Sequence, residues 1–180
     1  TNLTITAMAD NLGDSYTATN SGTDAGTSTG RAFYTRVTAN GTLTSLTGTA
    51  TASTDNFVLI AGIFAGPFDS PPVDVNIANT TTGSSGAVYT CPATGTRAQA
   101  IELVVGWAVR SSGTAFTATA PNLVAIQLAT ATVGQAVIGY QTTATAVTIS
   151  PVFTSAISSG VSVLGTTSFE LTQLYGQGCF

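Results

Sequence analysis

Ile101-Glu102-Leu103-Val104-Val105-Gly106-Trp107-Ala108-Val109 is apolar at nearly every position, carries β-branched and aromatic side chains, and leads to the turn triplet Ser111-Ser112-Gly113. An apolar run of this length, closed by turn residues, reads as a strand buried on both faces at the centre of a sheet. Residues 57–64 (Phe-Val-Leu-Ile-Ala-Gly-Ile-Phe) have the same character and predict a second central strand. Alternation along a strand places Leu103, Val105 and Trp107 on the inward face of one, and Phe57, Leu59, Ala61 and Ile63 on that of the other. Val137, Phe169 and Leu171 are expected to join them.

Outward from these two runs the pattern repeats. Short stretches of Val, Ile, Phe, Tyr and Thr predict strands at 4–8, 14–19, 32–38, 42–52, 73–77, 87–91, 115–120, 123–128, 136–141, 144–149, 161–164 and 168–174. They are separated by Gly, Asn, Asp, Ser and Pro. Asn40-Gly41 is a hairpin signal. Residues 20–30 show no periodicity and read as a loop. The prolines at 67, 71 and 72 predict a turn over 67–72. No window carries an apolar stripe at helical spacing. Strands at such spacing define an all-β fold, an antiparallel β-sandwich of jelly-roll-like form, and no linker, repeat or charge block divides residues 1–180 into two domains.

Only 7% of the residues are charged, with four cations, Arg31, Arg36, Arg97 and Arg110, eight acids and a net charge of −4. A typical soluble domain carries about 25%. Four scattered arginines cannot neutralise a phosphate backbone, so nucleic acid is not an expected partner. Threonine occupies 35 of the 180 positions. Its β-branch favours extended backbone, and its hydroxyl wets a strand face without charge. The resulting surface suits either a secreted monomer or, as we expect, a subunit covered by copies of itself. Cys91 and Cys179 are the two cysteines. Two readings stand: a disulfide between them, in keeping with an oxidising compartment, or two buried thiols. The chain opens at Thr1 without a Met, which reads as processing or trimming, with any leader or anchor upstream. No apolar run approaches the roughly 18 residues of a membrane span.

Reactive chemistry is poorly supplied. Without His or Lys, the commonest general base and the usual amine nucleophile are missing, and neither a Ser-His-Asp triad nor a Cys-His pair can be built. The acids are scattered rather than paired, so a glycosidase-like carboxylate couple is not expected. We therefore expect no catalytic residues, no cofactor and no enzyme activity. For a metal, Asp10-Asn11-Leu12-Gly13-Asp14 offers Asp10 and Asp14 as hard oxygen ligands for Ca²⁺. The same residues make an Asx-turn, with Gly13 at positive φ, and that reading is preferred. Asp69 and Asp74 pose the same choice. Asn2, Asn40 and Asn79 each begin an Asn-x-Thr acceptor pattern, which a Thr-rich chain produces by chance. Aromatic rings stack on sugars, and Tyr34, Trp107 and Tyr140 are the candidate binding residues among Tyr16, Tyr34, Tyr89, Trp107, Tyr140 and Tyr175. For Trp107, inside an apolar strand, core packing is the preferred role.

Several stretches together resemble a β-sandwich domain of bacteriophage virion proteins and of secreted or surface bacterial proteins. They are Asp10-Asn11-Leu12-Gly13-Asp14-Ser15-Tyr16; Ala32-Phe33-Tyr34; residues 42–52 followed by 57–66; Ser70-Pro71-Pro72-Val73-Asp74; Glu102-Leu103-Val104-Val105-Gly106; Gly113-Thr114-Ala115-Phe116-Thr117-Ala118; and Ile138-Gly139-Tyr140-Gln141. The chain departs from that pattern in Asp14, where the turn usually has Asn, and in its cysteines. The resemblance implies a jelly-roll-like sandwich without catalytic residues, located in a virion or on an extracellular surface. The expected role is a structural subunit (capsid, decoration or fibre protein, or extracellular filament) that forms a homo-oligomer and contacts other virion or surface proteins. In one version residues 1–8 are exchanged, as a donor strand, with a neighbour. The alternative is a carbohydrate- or receptor-binding module with glycans as partners.

Overall fold

The computed structural model describes residues 4–23, 29–37, 41–51, 59–82, 88–97, 99, 101–110, 116–118, 124–130, 134–155 and 161–172. Twelve strands and no helix lie among these residues: β1 (Ile5–Asp10), β2 (Thr17–Thr23), β3 (Thr29–Tyr34), β4 (Leu46–Ala50), β5 (Phe68–Thr82), β6 (Val88–Thr90), β7 (Ile101–Arg110), β8 (Phe116–Ala118), β9 (Val124–Thr130), β10 (Gly134–Ala144), β11 (Val152–Ser155) and β12 (Val161–Leu171). Every pairing is antiparallel. The chain is all-β, as its composition requires.

The organising element is a five-stranded sheet of order β5-β12-β7-β10-β9. β7 occupies its centre, laddered on one side to β12 and on the other to β10. The run at 101–109 is apolar on both faces because both are covered. On one face Ala108, Val137 and Leu164 meet Tyr89, Phe116 and Phe153 of a three-stranded β6-β11-β8 sheet, together with Cys91 just beyond β6. On the other face the two-stranded β2-β3 ribbon lies over Trp107. The Trp107 indole is so closely clasped that a Cβ added at Gly30 of β3 or Gly165 of β12 would fall within its ring atoms. Glycine at these two positions is a packing requirement. A second ribbon, β1-β4, stands beside this stack, and Arg31 Nη1 of β3 donates to the Ile5 carbonyl of β1 at 2.9 Å.

The expected core is right for Leu103 and Trp107, which are 4% and 6% exposed. Val137 is buried but belongs to the opposite face, since it pairs with Ala108. Phe169 and Leu171 are half-buried, and Phe169 meets Tyr34 and Phe68 edge-on. The second predicted central strand is not one. Phe57 lies outside the described residues, 59–67 carry no ladder, Ala61 is exposed and Ile63 is 74% exposed. β10 and β12 already fill both places beside β7, so no central position remains for this run. Phe64 instead packs edge-on against Tyr140 at 4.7 Å.

Other boundaries move for identifiable reasons. The predicted turn at 67–72 is the start of β5, which runs through Pro71 and Pro72, with the Ser70–Pro71 peptide cis. β5 is an outer strand, and its register with β12 shifts at Thr167/Phe169 and at Phe169/Leu171, so prolines there remove few ladder bonds. The predicted loop at 20–30 holds the ends of β2 and β3. Asn40 of the predicted Asn40-Gly41 hairpin lies outside the described residues; of the strands on either side, β3 pairs with β2, and β4 with β1. The Asn11 side chain directs the chain there, its Nδ2 donating to Thr42 O at 3.0 Å and its Oδ1 accepting from the N–H groups of Thr44 and Ser45. Of the strand predicted at 144–149, Ala144 ends β10 and residues 145–149 carry no ladder. Their carbonyls receive Arg97 Nε at Val147, 3.0 Å, and Thr94 N at Ile149, 2.8 Å. The strands predicted at 161–164 and 168–174 run together as β12 as far as Leu171, and residues 173 and 174 lie outside the described residues. The predicted strand at 4–8 appears as β1, paired with β4 of its own chain.

Candidate functional site

The predicted Asp10 turn forms as an Asx structure. Asp10 Oδ1 accepts from Leu12 N at 2.9 Å and Asp14 N at 3.2 Å, and Oδ2 accepts from the Tyr16 hydroxyl at 2.9 Å. Gly13 takes a φ of 78°. Burial acts to raise the Asp10 carboxyl, but the Tyr16 hydroxyl and the backbone N–H groups outweigh it and hold the carboxyl below its usual range. Burial and the Asp10 carboxylate together push Tyr16 up to about 12. Both Asp10 oxygens are thus engaged by donors of the chain itself, as the turn reading requires. No group of three or more His, Cys, Asp or Glu side chains suited to a metal gathers among the described residues.

Beside this turn, where Thr17 at the start of β2 faces Tyr34 at the end of β3, an open groove of about 320 Å³ is lined by Gly13, Asp14, Ser15, Thr17, Tyr34, Thr35 and Arg36. Its floor is tied together by Thr35 Oγ1, which donates to Ser15 O at 2.7 Å. The lining offers part of one aromatic ring, hydroxyls, a carboxylate and the exposed Arg36 guanidinium. That set suits a polar, hydroxyl-rich ligand.

Only one of the three predicted binding aromatics reaches this groove. Trp107 is a core residue whose Nε1 donates to Asn20 Oδ1 at 3.2 Å, so neither its ring nor its N–H faces solvent. Tyr140 lies half-buried under Phe64 on β10. Tyr34, Trp107 and Tyr140 therefore serve three separate places. Sequence reasoning missed Asn20, assigned to a loop. Buried at 9% exposure, it donates from Nδ2 to the carbonyls of Ile77 and Thr166 while accepting from Trp107, and so joins β2 to β5, β12 and β7. No local pattern in the sequence signals that role.

Charge is also found inside. Arg97 and Glu102 form an ion pair at 3.7 Å with both side chains fully buried. Burial raises the Glu102 carboxyl, and Asp74 raises it further, against the pull of Ser168 and Arg97. Arg110 is 3% exposed, with its guanidinium 4.4 Å from the centre of the Phe116 ring, and donates to the Tyr89 hydroxyl at 3.1 Å and to Ser155 Oγ at 2.6 Å. Cys91 is a free, buried thiol whose Sγ lies 3.7 Å from Trp107 O, and burial pushes it up to about 12. Cys179, its partner in the disulfide reading, lies outside the described residues.

Comparison with protein-family models, with curated proteins and with solved structures finds no match to this chain.

Proposed function

We propose that this chain is a non-enzymatic structural subunit of a virion or of an extracellular filament, assembling with copies of itself through β-sheet surfaces. The observation that carries this reading is where the charge goes. Of only four arginines and eight acids, Arg97, Arg110 and Glu102 are spent in the interior. The surface left behind is still poorer in charge than the composition suggests, and its exposed strand positions are Thr-rich. A protein that works as a single copy keeps its surface charged and its interior apolar; this chain tends the other way. The resemblance to phage virion and bacterial surface sandwiches points in the same direction, with a jelly-roll-like arrangement as its structural counterpart.

Light scattering coupled to sizing, across a hundredfold range of concentration, tests the reading, with electron microscopy of the same material. Assemblies of defined size or regular filaments are expected. A single copy at every concentration overturns it.

The groove at Tyr34 favours a second reading, a glycan- or receptor-binding module. Its expected signature is glycan-array binding that Tyr34→Ala abolishes with the fold intact. Binding that survives the substitution removes the groove from the argument.

A further inference from the structure

Sheet edges are hazards that proteins blunt with proline, charge, bulges, short strands or a covering element. Most edges described here are blunted. β5 carries Pro71, Pro72, Asp69, Asp74 and two register shifts. β6 and β8 are three residues long. β9 lies next to β8 of the covering sheet. β2 and β3 lie on the central sheet. β1 has a register shift between Ile5 and Ala7, ends in Asp10, and has its Ile5 carbonyl occupied by Arg31.

β4 has none of these devices. Its ladder is to β1 alone, so among the described residues its outer edge has no strand beside it. From 41 to 54 the chain holds no charged residue and no proline. Thr47 and Thr49 are exposed, while Leu46, Gly48 and Ala50 are half-buried. Two strands alone make a marginal sheet, and a third is needed for independent stability.

The β4 sequence indicates which strand that is. Leu46-Thr47-Gly48-Thr49-Ala50 reads apolar-Thr-Gly-Thr-apolar from either end. Antiparallel pairing with a second β4 about a two-fold axis at Gly48 sets Thr47 against Thr49 of the second copy, and Leu46 against its Ala50. Glycine meets glycine on the axis. Thr–Thr pairs across strands are favourable, and the two apolar pairs fall together on the opposite face. An isologous contact presents the same patch from both copies, and this near-symmetric strand is self-complementary in that arrangement. We infer that β4 is the self-pairing edge of the subunit, and that two copies join there into a continuous β1-β4-β4-β1 sheet. This inference rests on the self-assembly reading above and names the contact.

Two charge variants of the full chain test it, T47K/T49K and T47E/T49E. Both residues are exposed, so each variant keeps the wild-type far-ultraviolet spectrum. Across the axis each variant sets like charges face to face. Light scattering is expected to show at least a twofold drop in assembly mass for either variant alone, and recovery of the wild-type mass when the two are mixed in equal amounts. Variants that keep the wild-type mass, or a mixture that fails to recover it, overturn β4 pairing while leaving self-assembly through another surface standing. A wild-type chain that never exceeds one copy overturns both.

Discussion

Trp107 Nε1 donates to Asn20 Oδ1 across 3.2 Å, linking the central strand β7 to the ribbon laid over it from 87 residues earlier in the chain. The same amide donates to carbonyls of β5 and β12, so one buried side chain serves four strands. Its loss strands an indole N–H and two carbonyls in a dry place. Each buried group left unpaired costs roughly 1–3 kcal/mol. Asn20→Ala is expected to lower stability by about 3 kcal/mol in urea unfolding with an unchanged denaturant slope. In a double-mutant cycle with Trp107→Phe the two losses should fall short of additive, because the second change removes a donor already orphaned by the first. Strict additivity would show that the contact carries no coupling.

Arg97 and Glu102 invite a different experiment. Breaking a buried ion pair by removing one partner typically costs about 3–5 kcal/mol, since the remaining charge is uncompensated. Arg97→Ala should approach that range, and adding Glu102→Gln should restore part of the loss. A double variant no better than Arg97→Ala alone would place the whole effect in Arg97's bonds to Val147 and Thr145.

The pH response follows from four groups, Cys91, Tyr16, Glu102 and Asp10. Cys91 and Tyr16 are both pushed up to about 12, from ordinary values of 9 and 10. A folded-state pKa above the unfolded one gives stability that is intact below the unfolded value and lost as pH rises through the folded one. These two groups cost no stability up to about pH 9, and the urea midpoint should decline beyond it; Glu102, raised by burial and by Asp74, adds a separate loss as pH rises above 4.5. Cys91→Ala should shift the onset of that decline upward towards the Tyr16 range. Asp10 has the opposite sign: its depressed carboxyl contributes stability that is present above 3.8 and lost as pH falls below it. In a Cys179→Ser background, Cys91 should react with a thiol reagent only as fast as the core opens. Immediate labelling under native conditions would contradict its burial.

Fold class was legible in the sequence because it depends on properties summed over many residues: the scarcity of helix formers, the abundance of Thr and the short apolar runs between turn residues. β7 was legible singly because an unbroken apolar run from Leu103 to Val109 demands cover on both faces. Its near twin at 57–64 was not, since that run and β7 differ in what already lies beside them, which is a tertiary fact. The prolines of β5 misled in the same way. They exclude an inner strand, and only the sheet order shows that β5 is an outer one. The Asp10 turn was read correctly because Asx geometry is local. Asn20 was missed because its three partners lie 57, 87 and 146 residues away. Of the candidate groove, Tyr34 and Asp14 were singled out in advance, but nothing in the sequence brought Arg36 beside them.

β12 is the last of the described strands in the chain, yet it sits between β5 and β7, pairing with residues 68–82 on one side and 102–109 on the other. Until it emerges during synthesis, the largest sheet exists as two separate pieces with bare inner edges. Closing the gap requires loops of roughly 60 to 90 residues, which slows folding and prolongs the time in which such edges meet those of neighbouring nascent chains. Yield of properly folded material should therefore depend on expression temperature more strongly than equilibrium stability alone would suggest.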